Sequence, residues 1–187
     1  DGKQEIIVFD HNFHGRMISV VSFSSTEKYR RGFGPLTPGF VSVPFGDLEA
    51  VAAAVNENTC GILVEPMQGE GGMQVPPPGF LKGLRDIADH HDLLLLFDEI
   101  QVGLGRTGKR FCFQHEDVVP DIYILGKALG GGILPVSAIA ADADVARRVL
   151  ALSSWPSYWR ACLTVSACQA AKRSFARALT TAESSLI

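Results

Sequence analysis

Clusters of basic residues are absent from this 187-residue sequence. It carries 17 lysine and arginine residues against 20 aspartate and glutamate residues, which gives a formal net charge of −3. Nucleic acids and anionic membrane surfaces are bound mainly through clustered positive charge. We therefore expect no nucleic acid and no membrane as a partner, and a small molecule as the ligand.

Paired cysteines and long hydrophobic segments are also missing. The chain has no C-x-x-C pair, so we expect neither a disulfide framework nor a zinc site. No charged n-region followed by an apolar segment begins the chain, and its apolar runs extend over only a few residues. We expect a reduced, cytoplasmic protein. The four cysteines are Cys60, Cys112, Cys162 and Cys168.

The composition that remains is that of a globular protein, with 47% hydrophobic and 20% charged residues. A chain of this length supports one sizeable core, and so one domain or part of one. It begins at Asp1 and enters a strand-like run at residue 5, which we interpret as the start of an internal fragment.

Short β-rich runs alternate along the chain with helical patterns. Several runs are too uniformly apolar to have a solvent-exposed face, which indicates a sheet covered on both sides. Segments with glycine and proline but no periodicity predict loops over the sheet edge at residues 22–39 and 66–79. The six predicted strands are residues 5–9, 40–43, 60–65, 93–100, 121–125 and 136–141.

Two helices are predicted between these strands. Asp47 is a suitable N-cap for a helix that places Leu48 and Val51 on one side. A second helix follows three prolines and places Phe80 and Leu84 one turn apart. Helices between sequential strands are crossovers of the βαβ type. The predicted fold is therefore an α/β fold with a mostly parallel sheet and helices on both faces.

Charged residues lie where several predicted strands end. Glu65 ends the third strand, Asp98 and Glu99 lie near the end of the fourth, Lys127 follows the fifth after one glycine, and Arg16 lies shortly beyond the first. The carboxyl ends of parallel strands lie along one edge, where ligands bind. One polar strand end is ordinary, because the chain is leaving the core there. The coincidence of several predicts a site.

Two motifs resemble parts of a P-loop nucleotide site. Residues 93–99 (LLLLFDE) look like a Walker B strand, and residues 103–110 (GLGRTGKR) match the first seven positions of G-x-x-x-x-G-K-[ST]. The hydroxyl position is Arg110, and the short link between the motifs cannot hold a crossover, which needs about ten or more residues. We interpret the second motif as a tight glycine loop, with Arg106 and Lys109 structural or solvent-exposed.

An aspartate and a lysine at neighbouring strand ends, with glycine beside the lysine, suit a pyridoxal phosphate site. The lysine amine forms a Schiff base with the cofactor aldehyde, and the carboxylate keeps the ring nitrogen protonated. The lysine is then able to move a proton at the substrate Cα. The candidates for these two roles are Asp98 and Lys127.

Three long motifs resemble the class III, fold-type I pyridoxal phosphate-dependent aminotransferases. They are VEPMQGEGG (64–72), FDEIQVGLGRTGK (97–109) and PDIYILGKALGGGILPVSA (120–138). Within the family, NFHGR (12–16) and GFGPLTPGF (32–40) are most similar to bacterial-type ornithine aminotransferases, with acetylornithine aminotransferases next. The resemblance covers residues 5 to about 150 and implies part of the fold-type I large domain.

For the cofactor, the resemblance implies that Lys127 forms the Schiff base and that Asp98 pairs with the pyridine nitrogen. It also implies that Gln101 hydrogen-bonds the phenolic oxygen of the ring. Phe13 is expected to stack on the cofactor face, where it would otherwise be interpreted as a core aromatic residue.

For the substrate, the resemblance implies that Arg16 binds a carboxylate bidentately. Glu70 is expected to pair with a second arginine, which makes room for an amino acid that presents its terminal amine. Glu65 fits equally well as a buried carboxylate bonded to backbone amides. His14 and Glu99 are interpreted as groups behind the residues that contact the cofactor.

The implied reaction transfers the δ-amino group of ornithine to 2-oxoglutarate and gives glutamate semialdehyde and glutamate. The expected partners are an amino acid, a 2-oxo acid and a second copy of the chain in a homodimer, and no metal is expected. The alternatives are an acetylornithine or other ω-aminotransferase, and a non-catalytic truncated remnant.

Residues 1–150 are expected to form a partial cofactor-binding domain, and residues 151–187 a tail that departs from the family pattern. The tail has no glycine, although the preceding residues hold all 19, and the family's H-G-S-T-aromatic-G-G-N-P segment is not found in it. A reading-frame shift near Ala151 is our interpretation. The phosphate-binding loop of the family is expected before Asp1. We therefore expect the 187-residue chain alone to show no measurable aminotransferase activity and at best weak pyridoxal phosphate binding.

Overall fold

A computed structural model describes residues 2–152, which form a six-stranded sheet with helices. The predicted divergent tail, residues 151–187, lies outside the described residues except for its first two residues, which end the last helix. The elements in chain order are β1 (Glu5–Phe9), α1 (Ile18–Ser22), α2 (Glu27–Arg30), β2 (Phe40–Val43), α3 (Leu48–Ala54), β3 (Thr59–Val64), α4 (Phe80–His91), β4 (Leu94–Asp98), β5 (Ile122–Leu125), β6 (Ala138–Ala141) and α5 (Ala143–Leu152). Two short 3₁₀ helices, Cys112–His115 and Lys127–Gly130, flank β5.

The strand order in the sheet is β2-β1-β3-β4-β5-β6. Strands β1 to β5 are parallel, and only β6 runs antiparallel, against β5. The link between β5 and β6 contains one 3₁₀ turn and no crossover helix, and a chain that returns without a crossover pairs antiparallel. The predicted α/β fold with a mostly parallel sheet is confirmed.

Helices α3 and α4 cover one face of the sheet. Val51 and Leu84 are fully buried against Ile7 and Leu95 of the strands, and such a buried aliphatic side chain contributes about 1.5–3 kcal/mol. The predicted cap of α3 is confirmed, because the Asp47 carboxylate accepts the Ala50 N–H at 2.9 Å.

The opposite face carries a smaller cluster. Val8, Phe23 and Leu63 are buried there, and Val20 of α1 packs against them. Helices therefore contact both faces, as predicted. Towards β4 and β6 this second face is more open, since Leu94 and Ile139 are 39% and 46% exposed.

Several predicted boundaries were wrong by one to a few residues. The fourth strand ends at Asp98 rather than at residue 100. The Glu99 N–H still donates to the Ile124 carbonyl, but the chain then turns and the Glu99 carbonyl accepts the N–H of Gly103. The last strand begins at Ala138 rather than at residue 136. The predicted loop at residues 22–39 contains helix α2. The predicted glycine loop is a turn, with positive φ at Gly105 and Gly108.

Candidate active site

The carboxyl ends of four parallel strands bring distant segments of the chain to one edge of the sheet. These segments are residues 10–16 after β1, 65–74 after β3, 98–101 at the end of β4 and 126–130 after β5. All six predicted cofactor and substrate residues lie in these segments. The predicted gathering of charged residues at this edge is confirmed.

Asp98 is the last residue of β4 and is only 4% exposed. Its Oδ1 accepts the N–H of Ile100 at 3.0 Å, and its Oδ2 lies 2.7 Å from Nδ1 of His14. We assign the proton of the second bond to Nδ1 of His14, with the carboxylate oxygen as the acceptor. Both oxygens of Asp98 then accept hydrogen bonds, which is the arrangement of a carboxylate anion.

Lys127 lies at the same edge, one glycine beyond the end of β5. Strand β5 is the parallel neighbour of β4, with Ile124 beside Asp98. The Lys127 side chain is exposed, and it has no hydrogen bond or ion pair with the side chains that the structure describes, those of residues 2–147. Its φ of 43° lies in the left-handed region, which is strained for any residue except glycine. Lys127 and Asp98 thus lie at the same edge of the sheet, and the role of the amine stays a prediction.

Gly126 allows the Lys127 segment to approach the end of β4. A Cβ at this position would lie 3.4 Å from two side-chain carbons of Ile100, which is tighter than ordinary packing. Ile100 is also the residue whose N–H binds Asp98. The backbone just before the lysine therefore packs against the side chain of Ile100, two residues after the aspartate.

Phe13 and Arg16 form an aromatic and cationic group after β1. The rings of Phe13 and Tyr29 meet edge to face, with centroids 5.5 Å apart. The exposed Arg16 guanidinium lies 4.9 Å from the Tyr29 centroid and 5.6 Å from that of Phe13. Phe13 is thus half-buried at the site rather than in the core, and its stacking on a cofactor stays a prediction.

Gln101 and Glu70 meet across the edge. Gln101 Nε2 lies 3.5 Å from Glu70 Oε1, at the outer limit of a hydrogen bond. A Cβ on Gly69 would lie 3.2 Å from the Gln101 side chain, so the glycine permits this approach. The structure brings these two predicted residues together, and their predicted contacts with cofactor and substrate are untested.

Glu65 is a buried carboxylate bonded to a backbone amide, in agreement with one of its two interpretations. It is 3% exposed, and its Oε1 accepts the Phe13 N–H at 2.8 Å. Burial raises the pKa of Glu65, and the Asp98 charge raises it further, whereas the backbone amides of Phe13 and Gly69 and the neighbouring His14 lower it.

Glu99 faces away from Asp98 although the two are adjacent in sequence. Its two carboxylate oxygens accept the N–H groups of Cys112 and Phe113, each at 3.0 Å. Burial raises the pKa of Glu99 to about 7, against the lowering effect of those two amides. Glu99 therefore anchors the segment that follows the glycine loop.

Two buried polar residues at this edge were missed by sequence reasoning. Asn12 Nδ2 donates to the carbonyls of Phe9 and Phe23, and Gln68 Nε2 donates to the Asp10 carbonyl at 2.7 Å. Both lie inside motifs that carry the family resemblance, which was the available signal. Neither local pattern indicates burial, because the partners lie in other segments.

The described part of the chain, residues 2–152, contains neither a metal-binding cluster nor a membrane-spanning helix. Within this range no group of three or more His, Cys, Asp or Glu side chains is arranged to hold a metal ion. None of the helices described is both long and apolar enough to cross a membrane.

The profile of the class III aminotransferases matches residues 1–180. The chain belongs to this family. It is similar to ornithine aminotransferase 2 of Staphylococcus saprophyticus, with 58% identity over 143 residues, and to the ornithine aminotransferase of Brevibacillus brevis, with 54% identity over 145 residues. These matches cover 76% and 78% of this chain and 36% of each relative.

Solved structures give the same result. The ornithine aminotransferase of Toxoplasma gondii superposes with a TM-score of 0.78 and 41% identity, over 82% of this chain and 36% of that one. It was crystallised with oxidised glutathione and has pyridoxal phosphate at partial occupancy in its active site. Acetylornithine aminotransferase from Elizabethkingia anophelis superposes with a TM-score of 0.57 and 38% identity, over 73% of this chain and 30% of that one.

The chain thus spans little more than a third of the length of the curated relatives it matches. Membership of the family implies pyridoxal phosphate as the cofactor. The family match runs past residue 150, whereas the two curated relatives align over 143 and 145 residues. The domain boundary at residue 150 stays a prediction.

Proposed function

We propose that the complete protein to which this chain belongs is an ornithine aminotransferase with pyridoxal phosphate as its cofactor. It transfers the δ-amino group of ornithine to 2-oxoglutarate and gives glutamate semialdehyde and glutamate. The observation that carries the proposal is the placement of a buried carboxylate, Asp98, and an exposed amine, Lys127, at neighbouring ends of parallel strands. The identity of 58% to an ornithine aminotransferase supports the choice of substrate.

The residues at this edge fit the cofactor. Asp98 is held as an acceptor by His14 and Ile100, which suits a protonated ring nitrogen. Phe13 supplies an aromatic ring at the same edge, and Lys127 supplies an amine with no described partner. When bound, the cofactor would supply an aldehyde carbon for the amine and a protonated ring that takes up electrons from the carbon carrying the transferred amino group.

Lys127 has two roles in this proposal. Its amine would hold the cofactor covalently until a substrate amine takes its place. The freed amine would then move the proton of the carbon that carries the transferred amino group, which is Cδ in ornithine. Asp98 keeps the ring nitrogen protonated, and Gln101 donates a hydrogen bond to the phenolic oxygen.

Arg16 and Glu70 bind the substrate in this proposal. Arg16 presents its guanidinium at the surface, where the rings of Tyr29 and Phe13 position it, and a planar guanidinium binds a carboxylate bidentately. Glu70 pairs with a second arginine and so leaves room for the terminal amine of ornithine. The complete protein is proposed to be a cytoplasmic homodimer.

A test of the cofactor site is possible with the 187-residue chain itself. The purified chain is incubated with pyridoxal phosphate and reduced with borohydride, and the labelled peptides are mapped by mass spectrometry. We expect low occupancy with the label concentrated on Lys127, because Asp98 orients the ring there. The exposed Lys82 and Lys109 are internal controls. Labelling of Lys127 no stronger than that of Lys82 would contradict the proposal.

The activity itself is tested in the complete protein, with ornithine and N-acetylornithine as competing amine donors. We expect a higher kcat/KM for ornithine, and the reverse preference would favour the acetylornithine alternative. The 187-residue chain is expected to show no measurable turnover in the same assay. Turnover by that chain would contradict the interpretation of residues 151–187 as a divergent tail.

A further inference from the structure

Two buried polar atoms behind Asp98 have no hydrogen-bond partner among the described residues. They are Nε2 of His14 and Oε2 of Glu65. The His14 side chain and Glu65 are each 3% exposed, so bulk water does not reach them freely. Buried polar atoms in folded proteins nearly always have a partner, either a protein group or an ordered water.

The opposite ends of the same two side chains are already held. His14 Nδ1 binds Asp98 Oδ2 at 2.7 Å, and Glu65 Oε1 accepts the N–H of Phe13 at 2.8 Å. Because Phe13 and His14 are consecutive, the bond to Phe13 brings Glu65 to the backbone that carries the imidazole. Glu65 Oε2 and His14 Nε2 are therefore both left unpaired at this edge. The amide oxygens of Asn12 and Gln68 are unpaired there too, but they carry no charge that would attract an imidazolium.

The charges also favour a contact. Glu65 and Asp98 are both buried and repel each other, since Asp98 raises the pKa of Glu65, while His14 lowers it. Two carboxylates are stable in a buried environment when a positive group pairs with them. His14 is bonded to one of them and acts electrostatically on the other.

We propose that Glu65 is a positioning residue of the cofactor site, whose Oε2 is connected to Nε2–H of His14 through one buried water. Its Oε1 meanwhile holds the backbone of Phe13. One carboxylate thus connects the aromatic ring at the cofactor face with the aspartate at the ring nitrogen. The importance for the cofactor rests on the proposed function, whereas the connection itself does not.

The proposed connection places a proton on both nitrogens of His14. The group Glu65–His14–Asp98 then carries a net charge of −1. A group with net negative charge favours a protonated ring nitrogen as the hydrogen-bond donor to the remaining lone pairs of Asp98. Without the imidazolium, two buried negative charges would face each other.

The test is the protonation of His14 in the 187-residue chain without cofactor, from long-range proton–nitrogen NMR spectra of the imidazoles. A His14→Gln variant assigns the signal. In the wild-type chain we expect protons on Nδ1 and Nε2. In Glu65→Gln the amide oxygen keeps the Phe13 bond and the amide N–H faces His14, so we expect loss of the Nε2 proton. The exposed Glu57→Gln is the matched control and should leave the His14 signal unchanged.

Identical His14 spectra in Glu65→Gln and in the wild-type chain would overturn the proposal. If Glu65→Gln fails to fold, a crystal structure of the wild-type chain decides. His14 Nε2 and Glu65 Oε2 must then share an ordered water that lies within about 3.5 Å of both atoms.

The role at the cofactor requires a second readout. At subsaturating pyridoxal phosphate, Glu65→Gln should label Lys127 less than Glu57→Gln does, and equal labelling would overturn that role. Failure of Lys127 to be labelled in the wild-type chain would instead overturn the proposed function and leave the Glu65–His14 connection standing.

Discussion

The ends of β4 and β5 lie side by side, but they are built differently. Asp98 is buried, and both its oxygens accept hydrogen bonds, one of them from His14, which is 84 residues away in sequence. Lys127 is exposed, has a strained backbone and has no polar partner in the part of the chain that the structure describes. The apolar Ile133 and Leu134 that follow it are 86% and 70% exposed.

We therefore expect the end of β4 to contribute mainly to stability and the end of β5 mainly to reactivity. The end of β4 is held by long-range contacts, so a substitution there should change the free energy of unfolding. The end of β5 contributes few contacts, so a substitution there should change the chemistry and leave the fold intact. Four experiments test the contrast between these two strand ends.

Lys127→Ala should have the largest effect, which is complete loss of the borohydride-fixed adduct at this position. The free energy of unfolding should change by no more than about 0.5 kcal/mol, because the side chain is exposed and unpaired. Peptide mapping and denaturant unfolding measure the two effects. Lys82→Ala is the control and should keep the borohydride-fixed adduct on Lys127. An adduct at undiminished yield in Lys127→Ala would show that another lysine is the nucleophile.

Asp98→Ala should destabilise the chain by about 4 kcal/mol, because it leaves the buried His14 and the Ile100 N–H without their acceptor. Urea unfolding measures the change. Asp89→Ala is the control, since Asp89 also pairs with a cation, Arg85, but is 61% exposed. We expect a loss of at most about 1 kcal/mol for this surface pair. Equal losses in the two variants would show that the buried contacts of Asp98 stabilise the chain no more than a surface ion pair does.

Glu99 should make stability depend on pH. Its folded pKa of about 7 lies above the ordinary value of 4.5, so the folded state binds the proton more tightly than the unfolded state. The contribution is fully present below pH 4.5 and is lost as the pH rises through about 7, with a total of about 3 kcal/mol. Urea unfolding between pH 4 and pH 8 measures it, and Glu99→Gln should lack this part of the slope. The same slope in both proteins would assign the effect to other groups.

Lys127→Gly should have the smallest effect, a stabilisation of about 1 kcal/mol, because glycine accepts the positive φ without strain. Thermal unfolding of Lys127→Gly against Lys127→Ala isolates the backbone effect, since both variants lack the amine. A Lys127→Gly variant no more stable than Lys127→Ala would mean that the backbone at this position stores no strain.

Local patterns predicted the elements and the edge where the site lies. The apolar runs of β1 and β2 were predicted at their observed bounds, and the Asp47 cap was predicted from one residue and the spacing that follows it. Parallel order followed from the helices between strands, and it placed the ends of β4 and β5 at a single edge. These predictions depend on contacts within a few residues, and such contacts are visible in sequence.

Only the tertiary structure decided which way each polar side chain points and what it binds. Asp98 and Glu99 are consecutive, yet the first binds His14 and the second binds the amides of Cys112 and Phe113. Glu65 reaches Phe13 across 52 residues. Such partners depend on strand order and on the close approach that glycines such as Gly69 and Gly126 permit, and no local pattern encodes a contact between segments that meet only when the sheet forms.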